Sequence, residues 1–220
     1  PAGAVTALVG DLADPEFALP ADLPAVDAMV HSAATVNLLL PASALHQVNV
    51  AATMTLAEAA IARGVPFHYV STYSVLDPSR PSHSESWGVP IHPYLGIPYV
   101  RTKWEAEELL NQLAQRGARV SVYRPSRVIG NAVTGASNQE DLFNLVLDCV
   151  RDMGSAPAVD LADNFIPVDE VAEAIGARVI DHSGVGSVHN TVSPRWLPWS
   201  AFVTMLNELG DSISIVGREE

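Results

Sequence analysis

The chain has 220 residues, of which 48% are hydrophobic and 17% are charged, a composition typical of a sizeable folded domain and not of a disordered segment. The formal net charge of −13 argues against a nucleic-acid surface, and no apolar run reaches the ~18 residues that span a bilayer, so we expect no membrane partner either. The single Cys149 excludes an internal disulfide and fits a reducing, cytoplasmic compartment. The histidines lack paired metal-ligand spacing, so we predict no metal site.

Short apolar runs alternate with helical patterns along the chain. We predict strands over 4–9, 26–31, 65–70 and 118–123, and helices over 45–63 and 99–116, which both end at a glycine. Residues 77–98 are rich in Pro, Ser and Gly and predict a long loop. The second half predicts helices over 138–153, 168–180 and 199–209, with a strand over 187–192.

The first four strands are apolar on both faces, which is typical of a parallel sheet covered by helices. We therefore predict a doubly wound, Rossmann-type α/β fold, with 1–130 as a partial dinucleotide-binding domain. Residues 131–220 would be mainly a substrate- or carrier-binding region, with some segments returning to the first domain. Ligands of such folds collect at the carboxyl ends of the strands. Four residues lie at those ends: Asp11, Ala33, Thr72 and Pro125.

Tyr99 and Lys103 form the pair with the clearest chemistry. Lys103 is the only lysine, and four residues after Tyr99 it would share a helix face with it. A nearby ammonium would lower the pKa of the phenol and make it a good general acid for a carbonyl that accepts hydride. The alternative is a surface lysine on an amphipathic helix that happens to begin with a tyrosine.

Thr72 follows the apolar strand over 65–70. A hydroxyl at that strand end could donate to the same substrate oxygen as the tyrosine, although Ser and Thr also serve there in ordinary turns. We predict Thr72, Tyr99 and Lys103 as the catalytic residues.

A series of short motifs follows in order between about residue 4 and residue 209. They are Gly10-Asp11-Leu12, His31-Ser32-Ala33-Ala34-Thr35-Val36-Asn37, Asn49-Val50, Ser71-Thr72-Tyr73-Ser74-Val75, Thr102-Lys103-Trp104, Tyr123-Arg124-Pro125-Ser126-Arg127-Val128-Ile129-Gly130 and Thr134-Gly135-Ala136-Ser137-Asn138. The series resembles the thioester reductase domains that end nonribosomal peptide and polyketide synthases, within the extended short-chain dehydrogenase/reductase superfamily. Carboxylic acid reductases and fatty acyl-CoA reductases are similar relatives.

The resemblance implies NADPH as hydride donor and, as substrate, an acyl or peptidyl thioester on the phosphopantetheine arm of a carrier protein, within a larger multidomain synthase. Reduction would release an aldehyde, with further reduction to an alcohol left open. The resemblance also implies cofactor contacts by Asp11, Leu12, Ala33, Ala34, Asn49, Lys103 and Pro125. Asp11 would meet the adenine, the two alanines would admit the cofactor, Pro125 would border the nicotinamide, and Asn49 would have a structural or proton-relay role.

The Gly-rich turn that cradles the pyrophosphate in this family has no counterpart in the sequence, nor has the arginine for the 2′-phosphate. We therefore expect the chain to begin inside the domain and, alone, to bind NADPH poorly. Three alternatives stay open: a nucleotide-sugar epimerase or dehydratase, a non-catalytic dinucleotide-binding module, and a domain that releases product by cyclisation without NADPH.

Overall fold

The computed structural model describes residues 5–183 and 185–217 and divides the chain into two compact units. The first unit comprises 1–124 and 176–190, and the second comprises 125–175 and 191–220. Among the described residues, no helix is both long enough and apolar enough to cross a membrane.

The first unit is built on a sheet of four strands in the order β1-β2-β3-β7. These are β1 (Met29–His31), β2 (Phe67–Val70), β3 (Val120–Pro125) and β7 (Val188–Thr191). Strand β2 pairs in parallel with β1 and with β3, which confirms the predicted α/β class with a parallel sheet. Since His31 is in register with Tyr69, the segments that leave β1 and β2 emerge at the same edge of the sheet.

Three helices of the first unit pack on one face of this sheet. They are α1 (Ala42–His46), α2 (Ala52–Ala62) and α3 (Pro98–Gln115), with a π-helical turn, Gln47–Ala51, between the first two. Alanines from α2 and α3 let the helices approach Phe67 and Tyr69 of β2 closely, with Val120 and Val122 of β3 beside them. This apolar core fixes α3, the helix predicted to carry the catalytic pair, against the middle of the sheet.

The second unit has two small sheets. Strands β4 (Arg127–Ile129), β6 (Ala162–Pro167) and β8 (Trp196–Pro198) form one, and β5 (Ser155–Pro157) pairs with β9 (Ser214–Val216) in the other. Helices α4 (Leu142–Met153) and α6 (Trp199–Glu208) supply most of a second core around Val150 and Val203. Helix α5 (Val168–Ile180) begins in this unit directly after Pro167, with Asp169 and Glu170 in its first turn.

Several predicted elements differ from the structure. The strand predicted over 26–31 is only Met29–His31, and the helix predicted over 45–63 begins at Ala42 and includes the π-helical turn Gln47–Ala51.

Two further differences have a clear physical reason. The predicted strand over 4–9 is wrong for its described part, 5–9, which has no strand, while residue 4 lies outside the described residues. Val5 is 94% exposed, and an apolar run without a neighbouring strand has no partner for its backbone groups. The helix predicted from residue 138 begins later, at Leu142, because the carboxylate of Asp141 accepts a hydrogen bond from the Phe143 amide and caps the first turn.

Candidate active site

Tyr99 and Lys103 both lie on α3, one turn apart, so that their side chains project from the same helix face. Helix α3 begins at Pro98, whose fixed backbone and missing amide suit the first helical position. Tyr99 is therefore in the first turn, beside the carboxyl edge of the sheet. The adjacent Thr102 hydroxyl donates back to the Tyr99 carbonyl at 2.8 Å and tightens this turn.

Lys103 is buried, with 1% of its surface exposed. Its Nζ donates to the Val70 carbonyl at 2.7 Å, where β2 ends, and lies 4.1 Å from the centre of the Tyr69 ring. Burial lowers the pKa of Lys103 to about 7, and the negative charge of Glu107 opposes that shift. The ammonium is thus held at the carboxyl end of β2, the edge at which a dinucleotide binds in this class of fold.

The phenol of Tyr99 is half-buried, and burial raises its pKa to about 12. The prediction that Lys103 lowers the pKa of Tyr99 is therefore wrong for this structure, because desolvation dominates and the Lys103 hydrogen bond goes to Val70. A phenol with so high a pKa keeps its proton throughout the neutral range, so Tyr99 is available as a hydrogen-bond and proton donor.

Thr72 lies two residues beyond the end of β2 and caps a 3-10 turn, Tyr73–Val75. Its Oγ1 accepts from the Ser74 amide and donates to the Ser74 hydroxyl, both at 3.2 Å. The hydrogen bonds that Thr72 makes in this structure are therefore those of an ordinary turn, the alternative role that the sequence left open. The same contacts hold Thr72 near the end of β2, close to Val70, whose carbonyl accepts the hydrogen bond from Lys103.

Asn49 organises the neighbouring loop from within the π-helical turn. Its Oδ1 accepts from the Thr35 amide at 2.8 Å, and its Nδ2 donates to the Thr35 carbonyl at 3.1 Å and to the Thr102 hydroxyl at 3.0 Å. Asn49 thus ties the loop after β1, which contains Ala33 and Ala34, to α3. A buried side chain with these three contacts has a positioning role.

The other predicted cofactor residues lie at the surface or outside the first unit. Asp11 is exposed, and its carboxylate accepts from the Ala13 amide at 2.8 Å in a local turn, with Leu12 half-buried beside it. Ala33 is exposed and Ala34 half-buried in the loop after β1. Pro125 ends β3 and belongs to the second unit. Their roles stay predictions.

The sequence interpretation missed a buried ion pair behind Lys103. Arg124 of β3 donates from Nη2 to the Glu107 carboxylate at 2.6 Å, and its Nε lies 3.1 and 3.2 Å from the two carboxylate oxygens. The sequence does point to Arg124 as a buried charge that needs a partner, because it is a charged residue inside an otherwise apolar strand. Glu107 gives no such signal, since an acid on an amphipathic helix is usually exposed.

The residues at this edge of the first unit suit one part of a dinucleotide, the nicotinamide and its ribose, but not the diphosphate. Small residues after β1, a hydroxyl after β2 and the buried cation of Lys103 suit the nicotinamide and ribose of NADPH. A Gly-rich strand-to-helix turn for the diphosphate does not occur within 5–183 and 185–217.

Comparisons with known proteins agree with this architecture. The model of the family described as Male sterility protein matches residues 2–175. Isonitrile lipopeptide synthase of Streptomyces coeruleorubidus is 35% identical over 178 residues, covering 78% of this chain and 12% of that protein. The L-2-aminoadipate reductase large subunit of Eremothecium gossypii is 30% identical over 240 residues, covering 98% of this chain and 17% of that protein. The chain thus spans a small part of the length of these relatives.

Among solved structures, the terminal R domain from the myxalamid PKS-NRPS biosynthetic pathway is similar to this chain, with a TM-score of 0.82 and 32% identity. The similarity covers 87% of this chain and 49% of that chain. Coverage of this extent includes residues from both units.

Proposed function

Because the chain belongs to the family described as Male sterility protein, we propose that it carries the catalytic residues of an NADPH-dependent thioester reductase. Its substrate would be an acyl or peptidyl thioester on the phosphopantetheine arm of a carrier protein, within a multidomain synthase. The resemblance to thioester reductase domains that the motifs predicted is confirmed by the relatives named above. The observation that carries the proposal is the placement of Tyr99 and Lys103 on one face of α3, beside the strand end that leads to Thr72.

In this proposal the residues of the chain supply the proton for the carbonyl oxygen and the hydrogen bonds that orient the thioester. When bound, NADPH supplies the hydride that adds to the thioester carbonyl carbon. Tyr99, protonated at neutral pH, donates a hydrogen bond to the carbonyl oxygen and then its proton, giving a neutral hemithioacetal. Cleavage of the carbon–sulfur bond releases the carrier thiol and an aldehyde. Thr72 would donate a second hydrogen bond to the oxygen.

Lys103 would hold the cofactor ribose through the ammonium that now contacts Val70. Its burial makes this contact strong, because a charge-assisted hydrogen bond is less screened in the interior than in water. We assign substrate and carrier binding mainly to 131–220, which contains α4, α6 and all strands of the small sheets except β4. Asp11, Leu12, Ala33, Ala34, Asn49 and Pro125 are proposed to line or support the cofactor site.

Replacing the phenol tests the proposal. In the multidomain protein, Tyr99→Phe should reduce the rate of NADPH oxidation with an acylated carrier by about 100-fold or more, the usual contribution of a general acid, while the Kd for NADPH changes little. Tyr94→Phe removes the hydroxyl from an exposed tyrosine nearby and is the matched control. A Tyr99→Phe variant that keeps most of its turnover would exclude Tyr99 as the proton donor.

A further inference from the structure

The ion pair between Glu107 and Arg124 is among the least exposed charged groups of the first unit. Arg124 has 0% of its surface exposed and Glu107 has 2%. Burying two charges is costly unless their geometry is good and their remaining hydrogen-bonding groups are used. Here the Arg124 guanidinium contacts both oxygens of the Glu107 carboxylate, at 2.6, 3.1 and 3.2 Å, through Nε and Nη2. Its Nη1 has no hydrogen-bond partner among the described residues. The pair is therefore a fixed feature of the interior, and its place relative to the catalytic helix suggests what it does.

Glu107 continues the helix face that carries the catalytic pair. Tyr99, Lys103 and Glu107 are spaced four residues apart on α3, so their side chains stack along one stripe. Only one helical turn separates the Glu107 carboxylate from the Lys103 side chain. The other contacts of the Lys103 ammonium are a neutral carbonyl, that of Val70, and the face of the Tyr69 ring. Neither of these carries a full negative charge.

Apart from Glu107, Arg124 and Glu108, the titratable groups around Lys103 are neutral near pH 7. His31 of β1 faces Lys103, but burial lowers its pKa to about 4, so that its imidazole is uncharged. Burial raises the pKa of Tyr69 on β2 well above its usual value, and Tyr99 on α3 likewise keeps its proton. Glu107 of α3 and Arg124 of β3 are thus the charged side chains behind the ammonium, with Glu108 half-buried next to them.

Arg124 also reaches the loop that follows β2. Its Nη2 donates to the Ser86 carbonyl at 3.3 Å in addition to Glu107. The Arg124 guanidinium therefore holds the carboxylate from the side of β3 and that loop, while α3 presents it from the other side. This arrangement fixes the Glu107 charge in position and does not leave it free to turn towards solvent.

We propose that Glu107, held by Arg124, is a positioning residue that keeps the buried ammonium of Lys103 charged. This inference deepens the proposed function, because the charge on Lys103 matters for binding the cofactor ribose, but it is tested here without NADPH. Burial alone favours a neutral Lys103 amine, and Glu107 is the anion that opposes this tendency. Without it, the amine would lose its charge at a lower pH.

The single lysine of the chain makes a direct measurement practical. Lysine labelled with an NMR isotope at Cε gives one side-chain signal, that of Lys103, whose shift follows its ionisation as the pH is varied. In the native chain we expect a midpoint near pH 7, far below that of a free lysine. In Glu107→Gln the midpoint should fall by about one pH unit or more, the usual effect of losing a nearby opposite charge.

Two control variants separate the effect of Glu107 from a general change of charge. Glu105→Gln removes the same charge from a half-buried position of α3 and should leave the midpoint close to the native value. Glu107→Asp keeps the charge and should restore most of the native midpoint. An unchanged midpoint in Glu107→Gln, or an equal fall in Glu105→Gln, would overturn the proposal.

A second variant decides the matter if Glu107→Gln does not give a folded spectrum. Arg124→Gln removes the cation that offsets the Glu107 charge, so the midpoint of Lys103 should move upwards, opposite to the first variant. A midpoint that stays or falls contradicts the proposal. NADPH oxidation by the multidomain protein is a separate measurement, so a reductase assay that fails leaves the titration result intact, and the reverse also holds.

Discussion

The ammonium of Lys103 lies 4.1 Å from the centre of the Tyr69 ring, enclosed by the core of the first unit. A cation in this position is unfavourable for folding, because burial favours the neutral amine. The pKa of Lys103 is lowered from 10.5 to about 7, so the unfolded chain binds more protons than the folded chain between these two values. The free energy of unfolding therefore rises with pH from about 7 to about 10.5 through this group and is lowest below pH 7.

Lys103→Met should therefore stabilise the chain while abolishing reduction. We expect the free energy of unfolding at pH 7 to rise by about 1–3 kcal/mol, after allowing for the lost hydrogen bond to Val70. Urea denaturation at several pH values measures this change, and the variant should also lose part of the rise in stability above pH 7. A variant less stable than the native chain at pH 7 would show that the ammonium contributes to folding.

His31 gives a second pH effect, at the acid side. Its Nε2 contacts the Thr53 hydroxyl at 3.0 Å, and burial, with a smaller contribution from the Lys103 charge, lowers its pKa from 6.5 to about 4. The unfolded chain takes up a proton at this histidine near pH 6.5, whereas the folded chain resists it down to about pH 4. Stability from this group is complete above pH 6.5 and is lost as the pH falls through that window.

His31→Gln keeps a donor for Thr53 and removes the titration. Between pH 7 and pH 4, the native chain should lose about 3 kcal/mol more of its free energy of unfolding than this variant does. His46→Gln is the matched control, because His46 is half exposed on α1. Equal pH dependence in the native chain and His31→Gln, measured by urea denaturation, would contradict the assignment.

The elements that the sequence predicted well are those with strong local signals. Helix α5 has the predicted bounds because Pro167 precedes it and acids occupy its first turn. Helix α3 follows from Pro98 at its start and Gly117 beyond its end. Strand β2 lies inside the predicted range because an apolar run of this length needs burial on both faces.

What the sequence could not predict depends on partners distant in the chain. The six strands β4 to β9 include four of only three residues, too short for a recognisable alternation, and β4 exists through its pairing with β6. Likewise, the roles of Glu107 and Arg124 depend on a contact across 17 positions. The predicted strand over 4–9 shows the converse, since an apolar pattern alone does not make a strand without a neighbour.

The loop after β4 contains the Thr134-Gly135-Ala136-Ser137-Asn138 motif, and its close packing against Gly130 can be tested. In this loop the Asn131 amide donates to the Ala136 carbonyl and the Gly135 amide donates to the Asn131 carbonyl, both at 2.9 Å. A Cβ at Gly130 would lie 3.0 Å from the Ala136 carbonyl oxygen and 3.0 Å from the Ser137 Cβ. Because the first of these atoms is backbone held by a hydrogen bond, it cannot move aside without opening the loop.

We therefore expect Gly130→Ala to lower the free energy of unfolding by about 1–3 kcal/mol, the usual cost of overpacking. Gly96→Ala is the matched control, since a Cβ there meets nothing within 4 Å and the backbone is not in the left-handed region, so its effect should stay within about 0.5 kcal/mol. Thermal or urea denaturation of the two variants measures the difference. A Gly130→Ala variant as stable as Gly96→Ala would show that the loop yields to the extra methyl group. In that case the glycine would not be what holds the loop after β4 in its shape.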